Sequence, residues 1–308
     1  MVSRTLEVKL LFRKDERKGL EMSLNQVQLN ELLEVAKTAA LKAGDIINSY
    51  QGKGVEVQSK VGGENLASQV VTEVDLKAEK AILEVLNPTL KAYNLGLLTE
   101  ETTDDNSRFH HEHFWCIDPI DGTLSFSRNE DGYSTSIALV SQEGAPLLGV
   151  VNNPRSKTLY YALKGLGAFK NGSSLKVNAP GKSLTLLFDQ SYLKYPHYKK
   201  QIEELEKKLK SHGYQCLIHH HLGGAVMNGI TTIEMAPALY FKFPKKADGG
   251  GSIWDFAASS IIQAEAGGFN SDYYLNKLDL NRTDSTFMNH QGIIYVSFDS
   301  LLDLIPKI

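Results

Sequence analysis

WCIDPIDGT, residues 115–123, is the stretch on which the reading of this chain turns. A short apolar run delivers Asp118, Pro119 redirects the chain through its fixed φ, and Asp121 follows just before Gly122 and Thr123. Two carboxylates therefore leave one rigid turn. Oxygen-rich clusters suit hard divalent cations, and Mg2+ in particular keeps waters and bridges protein carboxylates to substrate phosphate. The peptide N–H groups of Gly122 and Thr123, where they open a helix or turn, favour a phosphate oxygen. An Asp-Pro turn followed by an Asp-Gly turn is equally a common local solution that needs no metal. The company the turn keeps decides between the two readings.

Outward from the turn, Phe114–Ile117, Ser134–Val140, Leu148–Asn152 and Leu159–Ala162 are rich in β-branched or aromatic residues and are separated by short turns such as Gly144-Ala145-Pro146 and Asn171-Gly172, the pattern of an antiparallel meander. Upstream, apolar residues from Leu29 to Ile47 recur with the 3.6-residue period of a helix buried on one face. Thr72, Glu73, Val74 and Asp75 form an [ST]-x-x-[DE] start for a second helix that runs to Pro88. Downstream, Lys199–His212 reads as a charged amphipathic helix stopped by Gly213, and Trp254–Ala266 as a helix stopped by Gly267 and Gly268. Helices mixed with contiguous strands imply an α+β fold, with residues 22–184 as a first half and 185–308 as an α/β second half. Residues 1–21 read as a leader arm outside the core, and Met22 as an alternative start.

Three segments supply the company. LLTEETTDD, residues 97–105, brings Glu100 and Glu101 to a strand end, although a solvated acidic loop has the same appearance. Asp75 sits in the helix start just described, where a capping box alone would explain it. GGGSIWDFAASSIIQAEAGG, residues 249–268, places Asp255 at a helix start, with a plain N-cap as its ordinary reading.

Together VVTEVD, LLTEE, WCIDPIDGT and IWDFAASSIIQAEAGG, in that order over Leu29–Ser297, resemble the inositol monophosphatase family of lithium-sensitive, magnesium-dependent phosphatases. The resemblance implies a layered αβαβα sandwich and two or three Mg2+ ions per site. It implies metal ligation by Glu100, Asp118, Asp121, Asp255 and the Ile120 carbonyl. It also implies that Thr123 and Asp75, with Glu100, orient the attacking water, with no covalent phosphoenzyme. Thr99 stands where many members carry Gly before the Glu pair, and the retained Glu100 makes this a minor departure.

Substrate contacts are expected from Asp121, Gly122 and Thr123 and from LGGAVMN, residues 222–228, which is similar to the family's glycine-alanine turn and offers the backbone of Gly223, Gly224 and Ala225. Lys242 in YFKFP stands where inositol-specific members carry a Glu that accepts from sugar hydroxyls, and an ammonium accepts nothing. A cation there suits a second anionic group, as in the bisphosphate nucleotidases of the same superfamily, and Lys245 and Lys246 point the same way. A 3′(2′),5′-bisphosphate nucleotide therefore ranks slightly above inositol monophosphate, with a sugar bisphosphatase or a non-catalytic metal- and phosphate-binding regulator as alternatives. The clusters His110, His111, His113 and His219, His220, His221 lack ligand spacing for zinc and read as solvated or locally hydrogen-bonded. His220 replaces an Arg common in the family.

Composition agrees with these expectations. With 33 Lys and Arg against 36 Asp and Glu, the net charge of −3 gives no general attraction for a nucleic acid polymer, so phosphate affinity must be local. Cys116 and Cys216 make no disulfide framework and no metal motif, which fits a reducing, cytoplasmic setting. No run approaches the ~18 apolar residues of a membrane span. The expected partner is a small phosphorylated metabolite, and family habit leaves room for a homodimer.

Overall fold

A computed structural model describes residues 24–51, 57–59, 70–178, 181–220 and 223–307. The leader arm, Met22, His221 and Leu222 lie outside the described residues, as does the side chain of Thr72. The first apolar rhythm becomes helix α1 (Gln26–Tyr50), opened by a capping box in which the Asn25 carboxamide oxygen accepts from the Gln28 N–H at 3.0 Å and Gln28 returns the contact to the Asn25 N–H. Its buried stripe of Leu29, Leu32, Ala36, Ala39, Ala43 and Ile47 follows the period read from the sequence. Short strands β1 (Val57–Ser59) and β2 (Val70–Thr72) pair antiparallel and lead into helix α2 (Glu73–Ala92). This helix continues through Pro88, where the sequence predicts its end. The lost amide donor is offset by packing beyond it: Thr89 is buried, donates to the Leu86 carbonyl and accepts from Trp115 Nε1 at 2.9 Å.

The strands predicted as a meander do form one. Strands β3 (Gly96–Thr99), β4 (His113–Asp121), β5 (Ser134–Ser141), β6 (Pro146–Asn153), β7 (Thr158–Leu163), β8 (Gly167–Lys170) and β9 (Ser173–Leu175) lie in sequence order in a seven-stranded sheet. Only the β3–β4 pair is parallel. Helix α3 (Thr123–Ser127) is a single turn after β4. The rest of the chain builds a five-stranded sheet, in the order β11 (Cys216–His220), β10 (Ser183–Leu187), β12 (Ala238–Lys242), β14 (Ile293–Val296) and β13 (Phe269–Ser271), with helices α4 (Tyr198–Ser211), α5 (Ala225–Glu234) and α6 (Ile253–Glu265).

Side-chain alternation on the strands decides how these pieces stack. Trp115, Ile117, Ile137 and Leu139 face α1 and α2, whereas Phe114, Cys116, Ala138 and Val140 face α5 and α6. The other side of α5 and α6 meets Leu187, Tyr240 and Tyr295 of the second sheet. Leu184, Leu186, Leu239 and Phe241 turn outward to Leu205 and Leu209 of α4. The result is the layered αβαβα sandwich. A central layer of two helices, both from the second half of the chain, is covered on each side by a sheet. No helix among the described residues is long and apolar enough to cross a membrane.

The central layer sits close on β6. A Cβ on Gly149 would fall 2.7 Å from the Ala258 carbonyl of α6. Gly149→Ala is therefore expected to cost about 1–3 kcal/mol through overpacking, read as a lowered urea midpoint with an unchanged slope; an unchanged midpoint would show that the helix yields freely.

Candidate metal centre

Strict alternation along β4 would put Asp118 and Asp121, an odd number of residues apart, on opposite faces of the sheet. The β4–β5 ladder avoids this. Asp118 faces Ser136 and Asp121 faces Ser134, so β4 carries one extra residue between them, a bulge that turns both carboxylates to the side of α5 and α6. Thr135 Oγ1 donates to the Pro119 carbonyl at 2.9 Å and pins the bulge. Gly122 then adopts φ +83°, the left-handed conformation that starts α3.

Asp255 arrives from the other half of the chain. Gly249, Gly250 and Gly251, all at positive φ, lead to Ser252, which caps α6. The N-cap is Ser252, so the plain N-cap alternative for Asp255 does not apply. Asp255 lies three residues into a capping box, where its Oδ2 accepts from the Ser252 N–H at 2.5 Å. Oxygens of Asp118, Asp121 and Asp255 come within 4.8 Å of one another.

The N-terminus of α5 grips Asp121, whose two oxygens accept from the Ala225 N–H at 3.1 Å and the Val226 N–H at 2.8 Å. Gly224 is needed for that approach, because a Cβ there would lie 2.0 Å from Asp121 Oδ2. Gly223 packs as tightly on Ser125. The Gly224 N–H donates to the Gly132 carbonyl at 2.8 Å. Of the backbone expected to meet substrate, the Gly224 amide is thus engaged with the Gly132 carbonyl and the Ala225 amide with Asp121.

Burial first, then the charges of Glu100, Asp255, Asp121 and Asp75, hold the Asp118 carboxyl well above the usual carboxylate range. Burial and the charge of Asp255 do the same to Asp121, against the pull of its two amide donors, and a side-chain hydrogen bond with Asp255 raises it further. Asp255 is raised by burial as well, with the Ser252 amide and Lys242 pulling it back. Asp118 Oδ1 is buried with no hydrogen-bond partner among the described residues. Such a group is costly unless something positive meets it. Oxygen-only donors, mutual repulsion and an orphaned carboxylate oxygen fit a hard divalent cation.

Other expected site residues gather around this triad. Glu100 directly follows β3, its N–H donating to the Ile117 carbonyl at 3.2 Å, and lies outside the three-residue cluster while bearing on Asp118 by charge. Asp75 is buried in the first turn of α2 and bears on Asp118 likewise. Thr123 Oγ1 donates to the Ile120 carbonyl at 3.0 Å, which leaves that oxygen its second lone pair. Among the described residues no histidine joins a group able to hold a metal. His111 contacts the Ser107 carbonyl, and His113 is a buried ring whose pKa is lowered by desolvation.

Lys242 does not stand free. Its ammonium lies 2.6 Å from Asp189 Oδ2, and Asp189 also accepts from the Tyr240 hydroxyl and the Asn228 amide. Asp189 was not singled out by the sequence. Its one signal was its place just past a strand that pairs in parallel with β12, so that the two side chains emerge side by side.

A five-layer αβαβα fold around a buried carboxylate cluster is the architecture of metal-dependent phosphomonoesterases. The model of the inositol monophosphatase family matches residues 28–298, and the chain belongs to that family. It is 31% identical over 253 residues to the inositol-1-monophosphatase of a Synechocystis strain, covering 82% of this chain and 83% of that one. It is 27% identical to the fructose-1,6-bisphosphatase/inositol-1-monophosphatase of Thermotoga maritima, covering 82% and 89%. Among solved structures, an IMPase from Thermotoga maritima superposes with a TM-score of 0.67 at 22% identity, covering 89% of this chain and 96% of that one, and establishes the likeness of fold.

A carboxyl whose folded pKa exceeds its unfolded one stabilises the fold fully below the unfolded value, about 3.9 for Asp, and that contribution disappears as pH climbs through the folded value. The metal-free protein is therefore expected to lose stability as pH rises from acid toward neutrality. Mg2+ competes with the same protons, so it should raise the melting temperature more at about pH 8 than at about pH 5. Asp118→Asn should keep the fold, raise the melting temperature of the metal-free protein at the higher pH, and abolish both the Mg2+-dependent gain and turnover. A full Mg2+ gain in that variant would remove Asp118 from the metal site.

Proposed function

We propose that the chain hydrolyses inositol monophosphate or a closely similar polyol phosphate, with Mg2+ held by Glu100, Asp118, Asp121, Asp255 and the Ile120 carbonyl, in two or three ions per site. The observation that carries this reading is the buried, unpartnered Asp118 oxygen within a three-carboxylate cluster. Mg2+ bound there supplies the positive charge that eases deprotonation of water and charge build-up on phosphate and leaving oxygens. Glu100 and Asp75 accept from the attacking water, and Thr123 holds the turn through the Ile120 carbonyl. The backbone at Gly122 and Thr123, following a left-handed turn, borders the phosphate position.

Substrate preference rests on Lys242. The case for a bisphosphate nucleotide required an uncommitted cation, and the ion pair with Asp189 neutralises it. The same pair supports a polyol. Asp189 restores, from the neighbouring strand, the carboxylate acceptor that position 242 lacks, while Lys242 adds a donor beside it. Relatives named inositol-1-monophosphatase support the same choice.

A phosphate-release panel in Mg2+ tests the ranking. Inositol 1-phosphate is expected to give the highest kcat/KM, above fructose 1,6-bisphosphate and 3′-phosphoadenosine 5′-phosphate. Asp189→Ala should raise KM for inositol 1-phosphate about tenfold, the ~1.4 kcal/mol of one hydrogen bond, with kcat little changed. Preference for the bisphosphate nucleotide would reverse the assignment, and no release from any of the three by folded, metal-loaded protein would leave a binding protein.

A further inference from the structure

Glu100 lies at the end of β3, the edge strand of the seven-stranded sheet, and just beyond it the chain passes into bends with Thr102 and Thr103 exposed. An edge-strand end has one neighbour to hold it, and a side chain there must be ordered by something else if it is to act in a fixed geometry. Glu79 is placed to do this. It is 5% exposed, on α2 one turn after Asp75, and both of its oxygens are taken by the segment around Glu100. Oε2 accepts from the Thr99 hydroxyl at 2.6 Å and from the Glu101 N–H at 3.1 Å, and Oε1 accepts from the Thr102 hydroxyl. One carboxylate thus binds the residue before Glu100 and the two residues after it.

We infer that Glu79 is the positioning residue of the metal centre. It locks the Thr99–Thr102 segment to α2, and so fixes Glu100 relative to Asp75, which rides on the same helix face. The inference rests on the reading of Glu100 as a metal ligand. Three donors from one short segment spend the charge of Glu79 on that segment, and the charges that weigh on Asp118 are those of Glu100, Asp255, Asp121 and Asp75. The arrangement also gives Thr99 a purpose: its hydroxyl supplies one of the three bonds, which a glycine at that position has no side chain to make.

Three variants of the full chain, Glu79→Gln, Thr99→Val and Glu100→Gln, separate this role from general stability. The probe is Mn2+ binding without substrate, followed by electron paramagnetic resonance, with hydrogen exchange at the Glu101 amide as a second readout. Glu79→Gln is expected to weaken Mn2+ binding about tenfold and to speed Glu101 exchange, while amides of the β5–β6 pair keep their protection. Thr99→Val, which leaves α2 untouched, should act in the same direction and carries the test alone should Glu79→Gln fail to fold. Unchanged Mn2+ affinity in folded Glu79→Gln and Thr99→Val, with clear loss in Glu100→Gln, overturns the positioning role. Unchanged affinity in Glu100→Gln overturns the ligand assignment itself and the role of Glu79 with it.

Discussion

Mutual repulsion among carboxylates that the fold forces together is the constraint around which this molecule is arranged. Asp118, Asp121 and Asp255 crowd into one buried space, with the charges of Glu100 and Asp75 close by. Several neighbouring features offset that charge. The N-terminus of α5 donates two amides to Asp121, the Ser252 N–H donates to Asp255, and the charge of Lys242 bears on Asp255. Among the described residues nothing answers one oxygen of Asp118. Such a cluster suits a hard cation, because its carboxylates are already desolvated and oriented and the cost of assembling them has been met by the apolar layers on either side.

Those layers explain how the chain brings the ligands together. Strand β4 is the hinge of the design: its Trp115 and Ile117 bury against α1 and α2, its Phe114 and Cys116 against the central helices, and the bulge after Asp118 redirects what alternation would have scattered. The central helices then deliver their N-termini, not their flanks, to the site. Helix α5 presents amides and α6 presents a carboxylate already engaged in its own capping box. Asp255 therefore belongs to the start of α6 and to the candidate metal centre at once.

The primary structure carried the reaction more clearly than the substrate. Short-range patterns were readable: the helix of Leu29–Ile47, the meander, and the four acidic segments, because each depends on local periodicity or turn chemistry. What escaped depended on contacts across the sheets. Pro88 reads as a stop unless one knows that Thr89 is held by Trp115. Ser252 looks less important than Asp255 until the geometry of the cap is seen. Lys242 looks like a free cation because Asp189 lies 53 residues earlier in the chain and meets it only when β10 and β12 pair. Glu79 carries no motif of its own, and its significance appears only with the three donors that reach it.

The grip of α5 on Asp121 joins residues 104 positions apart. Closing so long a loop is entropically slow to begin and makes little difference until the second sheet is in place. During synthesis the carboxylates of β4 emerge well before the amides and the aspartate that complete their surroundings. A chain made only as far as β4 lacks Asp255, the third carboxylate of the cluster. The site is complete only with α5 and α6 between the sheets, so that metal capture would certify a finished fold.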